Sequence, residues 1–396
     1  MDGSENHISD FKKNCDWIKP SINTTPKLIN KMKIVHIIGA LRRGGAERFV
    51  VDLCNEFAKN DQHQIYLISL CDNDADTTFL NEISRKISYL SLHKGKGLNL
   101  RVLLKLTAWL VKQKPDIVHT HLNAFEYLLL YRLMSGNCKF FHTIHSTAQA
   151  ECPNFLIKSF RKILYKKNKA IPVAVSNDGA KSFKKYYGLD NVIVIENGRP
   201  FLTLTDEYPI LIKRYKENIN SFLLIHVGRI MKVKNQQLLI EAVQKFNANQ
   251  EKKCKLLIIG DVRDESLYHH LYAMIKDDPY VEFLGGKENI ADFLSMADFF
   301  CLSSFYEGMP ISLIEALSVG CISICTKAGG IKEMIKNEDN GFLSNDNSVD
   351  SYYQTIKRAV FYPDKQKIKE NSLNSFKQHY HIETSCKKHV DAYHMI

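Results

Sequence analysis

The sequence lacks the features that would place the chain across a membrane or in an oxidising compartment. No apolar run approaches the roughly 20 residues that span a bilayer, and no signal peptide is recognisable. Ten cysteines are scattered without a C-x-x-C pair, which argues against a disulfide framework. Cys321 and Cys325 lie in a strand-like run, so we interpret them as core residues. These absences predict a cytoplasmic protein.

Two ligand-binding signatures are missing or out of place. Gly39 and Gly44 are five residues apart, which does not match the G-x-G-x-x-G dinucleotide fingerprint, and Asp72 lies too far along to be its acidic residue. Residues 72–76 (DNDAD) give two Asp-x-Asp matches of the kind that can hold a divalent metal and a diphosphate. A polar loop after a strand explains them better. We therefore disfavour an oxidoreductase and predict no obligatory metal.

Positive charge is in excess. The 54 Lys and Arg residues against 43 Asp and Glu give a net charge of +11, which suits an anionic partner such as a phosphorylated small molecule or an acidic membrane surface. Nucleic acid is also anionic, but no nucleic-acid-binding motif is recognisable. A non-enzymatic nucleic-acid binder is therefore the weaker interpretation, and we predict no nucleic-acid partner.

The hydrophobic pattern alternates between strands and helices in two series. The first series of strands covers 33–39, 63–70, 116–121, 138–145, 170–176 and 191–197. The second covers 221–228, 254–260, 280–285, 297–304 and 321–326, and the tail from about 348 reads as helices only. This pattern predicts parallel, doubly wound sheets. The expected fold class is α/β, with two Rossmann-like halves facing across a cleft.

The length of 396 residues fits two domains. We place the first at 32–200 and the second at 201–375, with a linker in roughly 200–220. A C-terminal helix over 376–396 could pack back on the first domain. Residues 1–31 are polar and aperiodic, so we predict little order there, and Met32 is a candidate natural start.

The stretch Phe299 to Gly320 combines a strand, a loop and a helix with two carboxylates. Pro310 suits the first position of the helix and Gly320 its end. Glu307 lies in the loop, and Glu315 lies on the helix, away from its apolar sector. Ligands bind at the carboxyl ends of strands in open α/β sheets, so a loop carboxylate there indicates a site rather than packing.

Cations and glycines also follow the ends of other predicted strands. Gly44 and Gly45 follow the first strand and precede a helix over 46–58, where backbone amides could approach an anion, although a plain turn explains them equally well. Arg229 and Lys234 follow the strand 221–228 and could reach a phosphate. Taken alone, they could also be solvated cations of a basic protein.

Histidines end two neighbouring strands of the first half. His119 and His121 close one strand, and His145 closes the next; a lone histidine there is usually a core residue, but two adjacent ones favour a site. We expect His121, the later of the pair, to emerge rather than His119. Ser176 and Asn197 end later strands and could be ordinary turn residues.

The run Glu307-Gly308-x-Pro310-x-x-x-x-Glu315-Ala316 resembles the two-glutamate signature of retaining glycosyltransferases of family 4, which have the GT-B fold. The resemblance extends from Met32 to the tail, with the motifs in family order. One departure is Cys321, where the family often has proline. This difference affects packing and not the catalytic residues. By resemblance Gly44, Gly45, Arg229 and Lys234 neutralise the donor diphosphate.

The resemblance also implies roles for the other candidates. Glu307 would hold the sugar, and Glu315 would bind the ribose hydroxyls. The donor-binding loop around Glu307 also includes Gly308, Met309 and Pro310. His121, His145, Ser176 and Asn197 would lie beside the transferred sugar or the acceptor. The base would rest near 260–263, which includes Gly260, and near 285–290. It would be held largely by backbone groups, so the side chains do not reveal which base it is.

The implied reaction is transfer of a hexosyl or N-acetylhexosaminyl group, with retention, from a UDP- or GDP-sugar to an acceptor hydroxyl. Bacterial surface polysaccharide or lipid-linked glycan assembly is the common setting. A nucleotide-sugar epimerase of the same shape and a non-catalytic glycosyltransferase-like subunit remain alternatives.

The segment 155–169 (FLIKSFRKILYKKNK) interleaves aromatic and aliphatic residues with six cations and contains no acid. Such a basic amphipathic helix is typical of a membrane-surface element. A solvated helix packed on the sheet is the alternative. The first interpretation predicts peripheral contact with an anionic membrane, on the inner face of the cell membrane.

Overall fold

The computed structural model describes residues 31–71, 79–95, 97–217 and 220–395. Residues Met32–Ile396 form one compact unit. The predicted Asp-x-Asp segment and almost all of the N-terminal extension lie outside the described residues. No helix in the described ranges is both long and apolar enough to cross a membrane.

The first half of this unit contains a seven-stranded parallel sheet with the order β3-β2-β1-β4-β5-β6-β7. The outward order from β1 in both directions is the doubly wound arrangement that the alternation predicted. Its strands are β1 Lys33–Ile38, β2 Gln64–Cys71, β3 Ser88–Lys94, β4 Ile117–His121, β5 Lys139–Ile144, β6 Ile171–Ala174 and β7 Ile193–Val194. Its helices are α1 Gly45–Phe57, α2 Leu100–Gln113, α3 Leu129–Met134, α4 Ala148–Glu151, α5 Phe155–Lys166 and α6 Asn177–Tyr187.

The second half contains a six-stranded parallel sheet with the order β10-β9-β8-β11-β12-β13. Its strands are β8 Ser221–Val227, β9 Lys253–Ile259, β10 Val281–Gly285, β11 Phe299–Leu302, β12 Ile322–Cys325 and β13 Gly341–Leu343. Its helices are α7 Tyr208–Tyr215, α8 Gln236–Asn249, α9 Glu265–Met274, α10 Ile290–Met296, α11 Ile311–Ser318, α12 Ile331–Met334, α13 Val349–Val360 and α14 Lys365–Ser375. The α/β fold class with two Rossmann-like halves is confirmed.

The sequence pattern missed three elements. The edge strands β3 and β13 pair with one neighbour each, and β3 is only partly buried while β13 has three residues. Neither therefore gives the continuous apolar run of a central strand. Helix α7 lies inside the expected linker, where Pro209 suits its first turn.

The chain ends with a π-helical turn, Phe376–Tyr380, and the helix α15, Ile382–Met395. Helix α15 lies against α1 and the first sheet: the Tyr393 hydroxyl is 2.6 Å from His119 Nδ1, and Lys139 Nζ donates to Tyr393 O at 2.9 Å. Residues at the end of the chain thus complete the core of the first half.

Candidate active site

A cavity of about 940 Å³ is lined by strand-to-helix loops of both halves. The first half contributes the loop before α1 and the ends of β5 and β7, and the second contributes the loops after β8, β9 and β11. All but two of the candidate residues line this cavity: Gly44, Gly45, His145, Asn197, Arg229, Lys234, Gly260, Glu307, Gly308, Met309, Pro310 and Glu315.

The Glu307 loop is held by glycines that let three backbone segments touch. A Cβ on Gly308 would lie 2.1 Å from His145 O, and one on Gly330 would lie 2.0 Å from Gly308 O. Gly329 has a φ of 53°, and its Cβ would lie 1.9 Å from Glu307 O. A side chain at any of these positions would force backbone apart, so the loop is fixed against the first half.

Glu307 is bound from two sides. Its Oε1 accepts from Lys234 Nζ at 2.6 Å and from the Ser304 hydroxyl at 2.6 Å. Both residues of the ion pair are mostly buried, with side chains 11% and 17% exposed. These two hydrogen bonds fix the orientation of the Glu307 carboxylate at the cavity wall. The Lys234 ammonium has further N–H donors that can bind a second anion.

The loop after β8 brings Arg229 and Lys234 to the same wall. Gln236 donates to Arg229 O at 2.9 Å, and the Ser303 hydroxyl donates to Lys234 O at 3.1 Å, so the backbone of this loop is tied down. Gly260 has a φ of 150°, and a Cβ there would meet Gly228 O at 2.1 Å. The close approach of these two loops requires a glycine at 260.

Helix α1 presents its N-terminus to the cavity from the opposite half. Gly44 is the N-cap and provides no side-chain cap, so the first amides of the helix lack an internal partner. The Glu47 carboxylate lies close in front of Gly44. Burial raises its pKa, while a hydrogen bond from its own backbone amide, Arg229 and Arg263 lower it. The helix N-terminus and Arg229 thus act on one anionic position.

His121 and Ser176 lie off the cavity wall, contrary to the expectation for His121. His121 is completely buried, and Leu122, which has a φ of 55°, lines the cavity instead. The strand ends at His121 and the chain turns at once, so its ring stays in the core. Ser176 caps α6, accepting from Gly179 N at 3.1 Å.

His121 is the middle of a chain of three imidazoles. His36 Nδ1 is 3.0 Å from His121 Nε2, and His121 Nδ1 is 3.1 Å from His145 Nε2. Burial lowers the pKa of all three, to about 3 for His36 and His145. The rings are therefore neutral at pH 7, and His121 must donate from one nitrogen while it accepts at the other.

His36, His119 and His121 each place one nitrogen within 4.8 Å of the others, which resembles a metal-ligand set. Their nitrogens are already engaged: those of His119 contact Tyr393 and Thr143, at 2.6 and 2.7 Å. Only His36 Nε2 of the six is without a hydrogen-bond partner in the described ranges. The set is better explained as a hydrogen-bonded array than as metal ligands.

Three charged residues in or beside the cavity were missed by sequence reasoning: Arg199 and Asp52, which are buried, and Glu151, which is half-buried. Arg199 pairs with Glu315 at 3.0 Å and with Asp52. Glu151 Oε1 accepts from the amides of His145 and Ser146. An arginine in the corner Asn-Gly-Arg-Pro after a strand was the available signal for the first, whereas the carboxylate six residues after His145 gave none.

Two halves with parallel sheets, whose strand ends meet at one cavity, define the GT-B class of fold. Two family models match, Glycosyltransferase Family 4 over residues 43–200 and Glycosyl transferases group 1 over residues 209–373. The chain belongs to this family of glycosyltransferases.

Relatives match along most of the chain. A UDP-Gal:alpha-D-GlcNAc-diphosphoundecaprenol alpha-1,3-galactosyltransferase of Escherichia coli is 27% identical over 360 residues, 84% of this chain and 88% of that protein. The Staphylococcus aureus capsular polysaccharide biosynthesis glycosyltransferase CapH is 25% identical over 374 residues, 87% of this chain and 95% of that protein.

Solved structures share the fold. Anabaena HepE in complex with UDP and glucose has a TM-score of 0.78 at 19% identity, covering 92% of this chain and 100% of that one. A glycosyltransferase from Rickettsia africae has the same TM-score at 21% identity, covering 92% of this chain and 98% of that one.

Proposed function

We propose that the protein is a retaining glycosyltransferase that moves a sugar from a UDP- or GDP-sugar to a hydroxyl of a lipid-linked glycan acceptor. The observation that carries the proposal is the convergence of Arg229, Lys234 and the N-terminus of α1 on one cavity, where Lys234 also pairs with Glu307. The relatives that act on diphosphoundecaprenol-linked sugars or in capsule synthesis support the choice of acceptor.

The donor diphosphate would bind between the two halves. Negative charge grows on it as the glycosidic bond breaks, so preorganised cations and helix amides stabilise the transition state more than the ground state. Lys234 can bind a phosphate oxygen without leaving Glu307, because an ammonium has three donors. Arg229 supplies the second positive charge.

Glu307 and Glu315 would orient the rest of the donor. Glu307 accepts sugar hydroxyls near the reacting carbon, and Glu315 accepts the ribose hydroxyls. The acceptor enters from the side of His145 and Asn197, and its hydroxyl proton passes to the leaving phosphate. Residues 32–200 would then form the acceptor-side domain and residues 201–375 the donor domain.

The acceptor lipid calls for membrane contact, and α5 offers a suitable face. The helix is amphipathic, but several of its apolar residues face solvent: Phe155, Leu156 and Ile163 are 74%, 76% and 53% exposed. Its buried face is made by Arg161 and Tyr165. The exposed cations beside the apolar residues are Lys162, Lys166, Lys167 and Lys169. We therefore favour peripheral binding to an anionic bilayer over a solvated helix.

The donor assignment is tested by calorimetric titration of UDP and of GDP into purified protein. Arg229→Met should weaken binding of the preferred nucleotide by on the order of tenfold or more, because a phosphate loses its charge-assisted partner. Glu307→Gln should leave that affinity within about threefold and lower turnover by on the order of 10²-fold.

Lys232→Met changes an exposed cation of the same loop that does not line the cavity; it is the matched control and should bind as wild type does. Wild-type nucleotide affinity in Arg229→Met would refute the diphosphate assignment. NMR of the product tests retention: an α-linked donor must give an α-linked product.

A further inference from the structure

Arg199 is buried where three parts of the chain meet. Its amide donates to Tyr380 O at 3.0 Å, and its carbonyl accepts from Ile382 N at 2.9 Å. At Gly198 a Cβ would lie 2.9 Å from Ile382 Cα, so only glycine allows the chain to approach this closely. The end of the chain therefore fixes the direction in which the Arg199 side chain leaves the backbone.

The guanidinium of Arg199 is shared between carboxylates from both halves. Nη1 donates to the Asp52 carboxylate on α1, and Nη2 lies 3.0 Å from Glu315 Oε1 on α11. The three side chains are 6–11% exposed. A planar fork with several donors suits this double role, which a point charge such as lysine does not.

The second oxygen of Glu315 remains available. Among the described residues, Oε2 has no hydrogen-bond partner, and Glu315 lines the cavity. Burial raises the pKa of Glu315, Arg199 and Arg48 lower it, and Asp52 raises it. Arg199 is thus the largest influence opposing the effect of burial on this carboxyl.

The charged groups on the other elements packed against α11 either bond to other residues or lie away from Glu315. Asp292 of α10 accepts from Thr205, and Lys369 of α14 lies by Gly320, beyond the far end of α11. Lys377 and His379 of the π-helical turn are exposed. The charge of Glu315 is therefore governed chiefly by Arg199, Arg48 and Asp52.

We propose that Arg199 is the positioning residue of the nucleotide site: it holds Glu315 charged and oriented for the ribose hydroxyls. The inference rests on the proposed ribose-binding role of Glu315. If the inference holds, the donor binds tightly only while Arg199 contacts Glu315 across the two halves.

The test is titration of UDP, or of GDP if that is the nucleotide bound, into Asp52→Asn and Asp52→Asn/Arg199→Met between about pH 6.5 and pH 9. Removing Asp52 together with Arg199 avoids leaving the Asp52 carboxylate buried without this partner. The double variant should bind at least about tenfold more weakly at pH 7, because a carboxyl that loses an adjacent cation becomes harder to ionise. Its affinity should recover as the pH rises.

Asp52→Asn alone keeps Arg199 on Glu315 and should bind within about threefold of wild type at every pH. Adding Glu315→Gln to the double variant should abolish the recovery. A double variant that binds like Asp52→Asn, or that is weakened equally at every pH, overturns the inference. Wild-type binding by Glu315→Gln alone would instead refute the ribose role, so the two failures are distinguishable.

Discussion

At the scale of single residues, the half-buried Glu151 carboxylate holds the backbone that presents His145 to the cavity. It accepts the amides of His145 and Ser146 through Oε1, while Oε2 has no partner among the described residues. Burial raises its pKa to about 7, against the lowering effects of those amides and of Arg161. The loop that presents His145 to the cavity is therefore tied to a carboxyl that titrates near neutrality.

A carboxyl with a raised pKa in the folded state binds its proton more tightly there than in the unfolded chain. Stability is therefore greatest below the unfolded pKa of about 4.5 and falls as the pH rises toward 7. Glu151→Gln keeps an accepting oxygen but cannot ionise. Between pH 5 and pH 8 wild type should lose on the order of 2–3 kcal/mol of unfolding free energy relative to this variant.

Urea unfolding at several pH values, followed by circular dichroism, measures this difference. Glu251→Gln, the control, removes an exposed acid between α8 and β9, and its curve should run parallel to wild type. Parallel curves for Glu151→Gln as well would mean that Glu151 is already ionised at low pH.

At the scale of elements, the strand–loop–helix from β11 to α11 is organised by its glycines as much as by its carboxylates. Pro310 is the N-cap with a ψ of 122°, so α11 begins one residue later than predicted, at Ile311. Gly320 follows the helix with a φ of 66°, as its role at the end requires. The contact of Gly308 with the backbone of His145 then fixes the loop between them.

Gly308→Ala should displace the Glu307 loop, because the new Cβ would lie 2.1 Å from a backbone oxygen. We expect a loss of about 1–3 kcal/mol of stability and a lower turnover. Gly136→Ala is the control, since a Cβ there meets nothing within 4 Å and should cost less than about 0.5 kcal/mol. Thermal unfolding and transferase assays of both variants decide the matter, and unchanged turnover in Gly308→Ala would contradict the account.

At the scale of the whole molecule, several polar contacts join the halves in addition to Arg199. Glu333 of α12 accepts the amides of Asn177 and Asp178 at the start of α6, at 2.9 and 2.7 Å. Lys332 pairs with Asp178 at 2.7 Å, and Arg43 pairs with Glu288 beside the cavity. Exposed polar contacts of this kind are individually weak, so the buried contacts of Arg199 and of the Glu307 loop contribute more to the arrangement of the two halves.

The membrane proposal also belongs to this scale. The double change Phe155→Ser/Leu156→Ser should abolish cosedimentation with vesicles containing anionic lipid at low salt, because apolar area and cation attraction act together. Each cation near such a surface contributes about 1 kcal/mol, so added salt should release wild type as well.

Ile210→Ser and Phe361→Ser change exposed apolar residues of the other half and should leave vesicle binding intact. If wild type itself fails to sediment with anionic vesicles, the α5 face is not a membrane surface. Loss of binding in the control variants would mean that the attachment is not specific to α5.

The sequence by itself determined the fold class and most of the cavity wall. Buried strands alternating with helices leave few alternatives to parallel sheets, and the carboxyl ends of such strands meet at one edge. Glycines and charged residues placed at those ends, such as Gly44 and Glu307, could therefore be assigned to a shared site without coordinates.

Only the tertiary structure decided which side chains face the cavity and which pair behind it. His121 is turned inward by the left-handed residue that follows it, and Arg199 meets Asp52 and Glu315 from positions 147 and 116 residues away. Hydrophobic periodicity reports which residues are buried locally, but not which residues they contact from distant parts of the sequence. A buried charged side chain takes its position from such contacts. Those contacts arise only when the two sheets and the C-terminal helix are packed together.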